Sequence, residues 1–214
     1  IGVIMDPISS TNYKKDSTLE MLWRAMDREW SIQYMEMNDL YLADGHPRAS
    51  MRPLTVKRDP KDFYSLGARS DQSLASLDVI LMRKDPPFDL EYIYVTYMLE
   101  RAEEENVLII NKPSSLRDCN EKVFTAWFPD LTPPTLISRD SEQIKSFITK
   151  HEDTIIKPLD GMGGASIFRL AAKDPNVNVV LEHMTAHNTR FTMVQTFLPA
   201  IVEGDKRILM INGK

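Results

Sequence analysis

The sequence predicts an α/β fold in two parts, an N-terminal domain on a parallel sheet and a small α+β domain behind it. Three observations carry this. The chain opens strand, loop, helix, strand, the start of a βαβ unit, which commits the first strands to run parallel. Short apolar runs and amphipathic helical stretches then alternate along the chain. Pro129, Pro133 and Pro134 stiffen a connection in the middle, and a second, smaller alternation follows it.

In order, Ile1 to Met5 reads as a buried strand that Asp6-Pro7 ends in a loop, where open α/β sheets bind ligands. Ser17 with Glu20 has the spacing of a capping box. Leu19, Leu22, Trp23, Met26 and Trp30 then mark one helical face, and Ile32 to Glu36 is the second strand. From Ala43 to Leu77 the glycine, the prolines and scattered charge suggest long connections, with one short helix near Lys61 to Leu66. Val79 to Met82 is the third strand and ends in Arg83-Lys84-Asp85-Pro86-Pro87-Phe88. Two cations and a rigid diproline at that edge would hold an anion, and a solvated turn explains the spacing equally well. A helix from Asp89 to about Glu105 and a fourth strand, Val107 to Ile110, complete the first alternation.

After Pro113, Ser115 and Asp118 are placed to cap a helix with Leu116, Cys119, Val123, Ala126 and Trp127 on its apolar face. Lys122 borders that face, where a lysine ordinarily snorkels to water. The second alternation is a strand at Thr135 to Ser138, a helix from Asp140 to Lys150 and a strand reaching Lys157. A strand from Ile167 to Leu170, a helix after Asp174-Pro175, a strand from Phe191 to Phe197 and a last strand, Ile208 to Ile211, follow.

Bulk properties set limits. The 214 residues can hold one large or two small domains, and 43% hydrophobic with 27% charged residues is ordinary globular composition. A formal charge of −5 argues against nucleic acid as principal partner. No apolar run approaches the roughly 18 to 20 residues of a membrane span, so no membrane partner is expected. The single Cys119 leaves no internal disulfide and fits a reducing, cytoplasmic compartment. The first residue is Ile1, and the chain stops just after an apolar run, which reads as a fragment.

The chemistry concentrates between Thr154 and Leu170. A β-type run delivers Lys157 and Pro158 into Asp160-Gly161-Met162-Gly163-Gly164-Ala165-Ser166, and a second β-type run follows at once. Three glycines in four positions allow positive φ and close approach of peptide N–H groups to phosphate oxygens, and an ordinary glycine hairpin has the same signature. The loop is not a Walker loop, since Gly164 is followed by Ala165 and no helix opens. It is not a dinucleotide fingerprint either, since Ser166 stands where the third glycine belongs. A flap between two strands, closing over phosphates, is the expectation.

Met5-Asp6-Pro7, Met82 to Asp89, Asn111-Lys112-Pro113, Leu116 to Lys122 and Lys157 to Gly164 occur in an order and spacing that closely resemble bacterial glutathione synthetase, of the ATP-grasp superfamily. The resemblance implies an N-terminal substrate-binding (pre-ATP-grasp) domain over residues 1–118, an ATP-grasp lid domain over 119–198, and at 199–214 the start of a C-terminal ATP-grasp domain that is largely missing. It implies that Lys122 and Lys157 hold ATP phosphates beneath a flap of Gly161, Met162, Gly163 and Gly164. Gln195, Phe197 and Leu198 would border the adenine, Asp205 the ribose, and Arg207 the γ-phosphate and developing acyl phosphate as the catalytic cation. Arg83 would hold the γ-glutamylcysteine end of the substrate. The activity implied is ligation of γ-glutamylcysteine to glycine through an acyl phosphate, with Mg²⁺, or Mn²⁺ in its place, by a homotetramer. No metal-binding residue is expected here, because the family's metal ligands lie beyond Lys214. Were these residues the whole molecule, weak nucleotide binding and little or no ligase activity are expected. The alternatives are another ATP-grasp carboxylate-amine ligase and a non-catalytic nucleotide-binding module. In this scheme Cys119 packs and does not react.

Overall fold

The structure, a computed structural model, describes residues 1–206, 208–211 and 213. The chain divides into two compact units, Ile1–Cys119 and Asn120–Lys214.

The first unit is built on β1 (Gly2–Ile4), the helix α1 (Ser17–Met26) and β2 (Ile32–Met35), joined by β3 (Leu40–Ala43), β4 (His46–Val56), β5 (Tyr64–Leu66) and β6 (Ser70–Ser73). It continues with β7 (Val79–Met82), α2 (Leu90–Glu104), β8 (Leu108–Ile110) and the short helix α3 (Pro113–Asp118). Strands β2, β1, β7 and β8 run parallel in that order, as the βαβ opening predicts. Side chains alternate across β1, so Val3 and Met5 pack with Leu19, Leu22 and Ala25 of α1, while Ile4 packs with Tyr92, Val95 and Leu99 of α2. Both faces of the sheet are therefore covered, which leaves its carboxyl edge for ligands.

Several local expectations are corrected. The stretch from Ala43 to Leu77 is largely sheet: β4 runs over eleven residues, burying Pro47, Ala49 and Met51 and, after a one-residue slip at Arg52–Pro53, Leu54 and Val56, and it pairs with β2, β3, β5 and β6. Pro47 and Pro53 hid it, since proline normally breaks a ladder, yet both sit within β4 and pair with Leu42 and Gln33. Where a helix is expected near Lys61 to Leu66, the chain makes a turn at Lys61 and then the edge strand β5. Asp16, not Ser17, caps α1, its carboxylate accepting from the Leu19 N–H at 2.8 Å. Trp30 lies beyond α1 and is exposed. Pro113 starts α3, which ends at Asp118, and Val123–Trp127 forms a separate 3-10 turn. The break comes from Asn120, whose side-chain oxygen accepts from the N–H groups of Lys122 at 3.1 Å and Val123 at 3.0 Å, redirecting the chain. Cys119 consequently sits at the helix end, exposed instead of packed.

The second unit holds β9 (Thr135–Ser138), α4 (Ser141–His151), β10 (Asp153–Pro158), β11 (Phe168–Ala171), α5 (Val177–Thr185) and β12 (Thr192–Thr196). Its antiparallel sheet has the order β11, β10, β12, β9, and β10 with β11 forms the expected hairpin. Ile144 and Ile148 of α4, Leu181 and Met184 of α5, and Ile156, Leu170 and Val194 of the sheet make one core. The strand expected at Ile208–Ile211 is not formed: these side chains are 70–82% exposed and pair with no strand among the described residues.

Ile156 is fully buried at the centre of this core. Replacing it with alanine is expected to cost about 2 to 5 kcal/mol of stability, the usual range for deleting a buried isoleucine's outer methyl groups. Urea denaturation of the variant checks this, and a loss well below that range would place Ile156 outside the unit's core.

Candidate functional site

Strand alternation places the site. In β10, Thr154 and Ile156 face the helices, so Ile155 and Lys157 face the other side. Lys157 pairs with Met193 of β12, and Ile155 pairs with Gln195 on β12 and Arg169 on β11. The sheet thus presents Lys157, Met193 and Gln195 on the face away from α4 and α5.

Lys157, Lys122, Glu121, Gly161, Met162, Gly163 and Gly164 line one small cavity of ≈ 180 Å³. That is below the roughly 300 Å³ where small-molecule pockets begin, so it suits one charged end of a ligand. Lys122, its side chain only 13% exposed, donates from its ammonium to the Gly161 carbonyl at 2.6 Å and forms an ion pair with Glu121 at 2.6 Å. Asn120 donates to the Leu159 carbonyl at 3.5 Å. The Asn120-Glu121-Lys122 turn therefore straps the base of the flap. Lys157 is half-buried, and its amine is pushed below the ordinary lysine pKa, first by burial and then by the Lys122 charge, with Glu121 opposing.

The flap closes through a turn in which the Ala165 N–H donates to the Met162 carbonyl at 3.2 Å. Gly163 and Gly164 take φ of +63° and +80°, and an added Cβ would meet nothing at either. Conformation, not space, calls for glycine there. At Gly161 the reason is space, since a Cβ would come within 2.8 Å of the Pro158 ring.

Gln195 is buried in β12 and donates to the Thr135 hydroxyl at 2.9 Å, so its side chain braces the sheet. Phe197 donates its N–H to the Asp153 carbonyl at 3.0 Å. The Arg169 guanidinium lies 3.8 Å from the Phe197 ring centroid and is held by two bonds to Asp153, of 2.8 and 2.6 Å. Leu198 and Asp205 are exposed beyond the strand, and Arg207 lies outside the described residues. Sequence reasoning passed over Asn120, Glu121 and Arg169. Their adjacency to Lys122, and the pairing of β10 with β11, were the available signals.

In the first unit, Arg83 follows β7 and donates to the Thr18 hydroxyl at 3.0 Å and the Ser17 hydroxyl at 3.1 Å. Lys84 instead pairs with the Asp6 carboxylate at 3.0 Å, which also accepts from the Asp85 N–H at 3.0 Å. Of the two cations, Arg83 is the one held by neutral groups.

Among the described residues no group of three or more His, Cys, Asp or Glu could hold a metal ion. No helix among them is long and apolar enough to cross a membrane.

A parallel α/β unit followed by an antiparallel sheet, with a lysine strand leading into a glycine flap, defines an ATP-grasp type of protein. The chain belongs to the prokaryotic glutathione synthetase family: residues 1–117 match its N-terminal domain and residues 121–214 its ATP-grasp domain. It is 59% identical over all 214 residues to the glutathione synthetase of Photorhabdus laumondii and 58% identical to that of Escherichia coli K12, and spans 68% of each. The fold is similar to that of the D-cycloserine synthetase DcsG, with a TM-score of 0.60 and 11% identity, over 94% of this chain and 60% of that one.

Burial of a charged Lys157 also has a stability consequence. Its native pKa is lowered, so below that pKa the folded state carries a desolvation penalty that the unfolded chain lacks; the penalty disappears as pH rises through the native value towards the unfolded value of 10.5. Lys157→Met is therefore expected to raise the melting temperature at neutral pH, with the gain shrinking to nothing once pH passes the unfolded lysine value. A gain that grew with pH would contradict this.

Proposed function

We propose that the protein works as the ATP-dependent ligase that joins γ-glutamylcysteine to glycine, giving glutathione, ADP and phosphate. The observation that carries this reading is the pair of lysines, Lys122 and Lys157, lining one cavity beneath the glycine flap. Family membership and the identity of the relatives support the substrates. As the chain spans about two thirds of those relatives' length, the activity belongs to the whole protein.

The residues have distinct tasks. A carboxylate is a poor electrophile at neutral pH, so the γ-phosphoryl group of the substrate ATP passes to the cysteinyl carboxylate of γ-glutamylcysteine, releasing ADP. The amine of glycine then attacks the acyl carbon, loses a proton, and phosphate leaves with the C–O bonding pair. Phosphoryl transfer depends chiefly on positioning and on cations around spreading negative charge, and no covalent enzyme nucleophile is needed. Lys122 and Lys157 grip the phosphates, while Gly161, Met162, Gly163 and Gly164 cover them and keep water from the acyl phosphate. Gln195, Phe197 and Leu198 border the adenine, with Arg169 fixing the Phe197 ring by stacking. Asp205 is assigned to the ribose and Arg207 to the γ-phosphate. Arg83 takes a carboxylate of γ-glutamylcysteine. Mg²⁺ or Mn²⁺ would neutralise phosphate charge. A cytoplasmic homotetramer belongs to the same reading, as do three working domains, 1–118, 119–198 and one beginning at 199.

Two outcomes are expected. ADP release should require γ-glutamylcysteine and glycine together, and release with another acid and amine pair would assign a different carboxylate-amine ligase. Lys157→Ala should weaken ATP binding by roughly 1.5 to 3 kcal/mol, the range for a hydrogen bond to a charged group. Calorimetric titration measures it, and unchanged affinity would remove Lys157 from the nucleotide site.

A further inference from the structure

Lys122 does not wait for its ligand with an empty ammonium. Both of its polar contacts, the Gly161 carbonyl and the Glu121 carboxylate, lie at 2.6 Å. The Glu121 side chain is 67% exposed, while the Lys122 side chain it meets is 13% exposed. Glu121 thus reaches in from solvent to neutralise one of two neighbouring lysines, and it lines the cavity together with both. An anion held by Lys122 and Lys157 together meets a carboxylate already paired with one of them and competes with it for that charge.

We propose that Glu121 is a built-in counter-ion: its carboxylate stands in for a phosphate oxygen on Lys122 in the nucleotide-free protein and sets nucleotide affinity by competing for that ammonium. This rests on the nucleotide reading of the lysine cavity. Without Glu121, the cluster of Lys122, Lys157 and Glu121 goes from one net positive charge to two, and an arriving phosphate has no internal rival. The exposed position of the carboxylate makes the exchange cheap, because an ion pair open to solvent is weak and is screened by salt. The Gly161 contact remains, so Lys122 keeps its place while its counter-ion turns away.

The test is ATP titration of Glu121→Gln beside the unaltered protein, at low and at high salt. The substitution keeps size and polarity, and at an exposed position it leaves the core untouched. Affinity for ATP should tighten about two- to five-fold at low salt, the worth of one exposed ion pair, and the two proteins should converge at high salt. Equal affinity at low salt, or weaker binding by the variant, would overturn the proposal. Lys157→Ala in the same titration keeps the two ideas apart. If that variant binds ATP as well as the unaltered protein, the nucleotide reading falls; if it binds weakly while Glu121→Gln is unchanged, the counter-ion alone falls.

Discussion

The arrangement depends on a single step along β10, from Ile156 into the core to Lys157 on the opposite face. Strand side chains alternate, so a well-packed isoleucine fixes the direction of the lysine beside it, and a slip of one residue would bury the ammonium among Ile144, Leu181 and Val194. Hydrogen bonding to β11 and β12 on both sides locks this register. The flap then departs from Pro158 at a defined point. The second unit's packing and its chemistry are thus two consequences of one strand's position.

Holding two cations together has a cost, and the structure distributes it. Lys157 loses hydration and faces Lys122, which is why its proton is held less tightly than usual. Lys122 is nearly buried but finds a carbonyl and a carboxylate, so its charge is satisfied locally. Lys157 is the member of the pair whose charge is disfavoured where it sits. A phosphate that restores its lost solvation gains more there than at a lysine already in water. Preorganised charge of this kind costs stability in the free protein and is recovered on binding.

The hairpin was legible because its signals agree: β-type residues before and after, and glycines where φ turns positive at Gly163 and Gly164. The parallel core was legible because the strand-like runs Ile1 to Met5 and Ile32 to Glu36 flank an amphipathic helix, the opening of a βαβ unit. Between Ala43 and Leu77 the same reasoning failed, since prolines that normally end strands were accommodated within β4. The helix drawn through Lys122 failed for another reason. Leu116, Cys119, Val123, Ala126 and Trp127 do have helical spacing, but one Asn120 side chain captures two backbone donors and ends the helix at that point. Periodicity cannot register a competing local hydrogen bond. Gln195 and Phe197 were named as candidates through family likeness alone, whereas the Arg169 bracing of Phe197 follows from strand pairing, which sequence alone does not supply.

Arg83 and Lys84, adjacent in sequence and equal in charge, show why the partner of a cation matters more than its presence. Lys84 is spent on Asp6, and that carboxylate also takes the Asp85 N–H, so the pair pins the loop after β7 to the loop after β1. A second anion arriving at Lys84 would have to break this clasp and leave Asp6 with an unpaired charge, a loss that buried or half-buried pairs make expensive. Arg83 is oriented by two hydroxyls that carry no charge, at the first turn of α1. Its fork is held in place while its charge stays available for a planar carboxylate. The sequence presented both cations as equal candidates for an anion, and their contacts differ: Lys84 is paired within the loop, while the contacts of Arg83 among the described residues are to neutral hydroxyls.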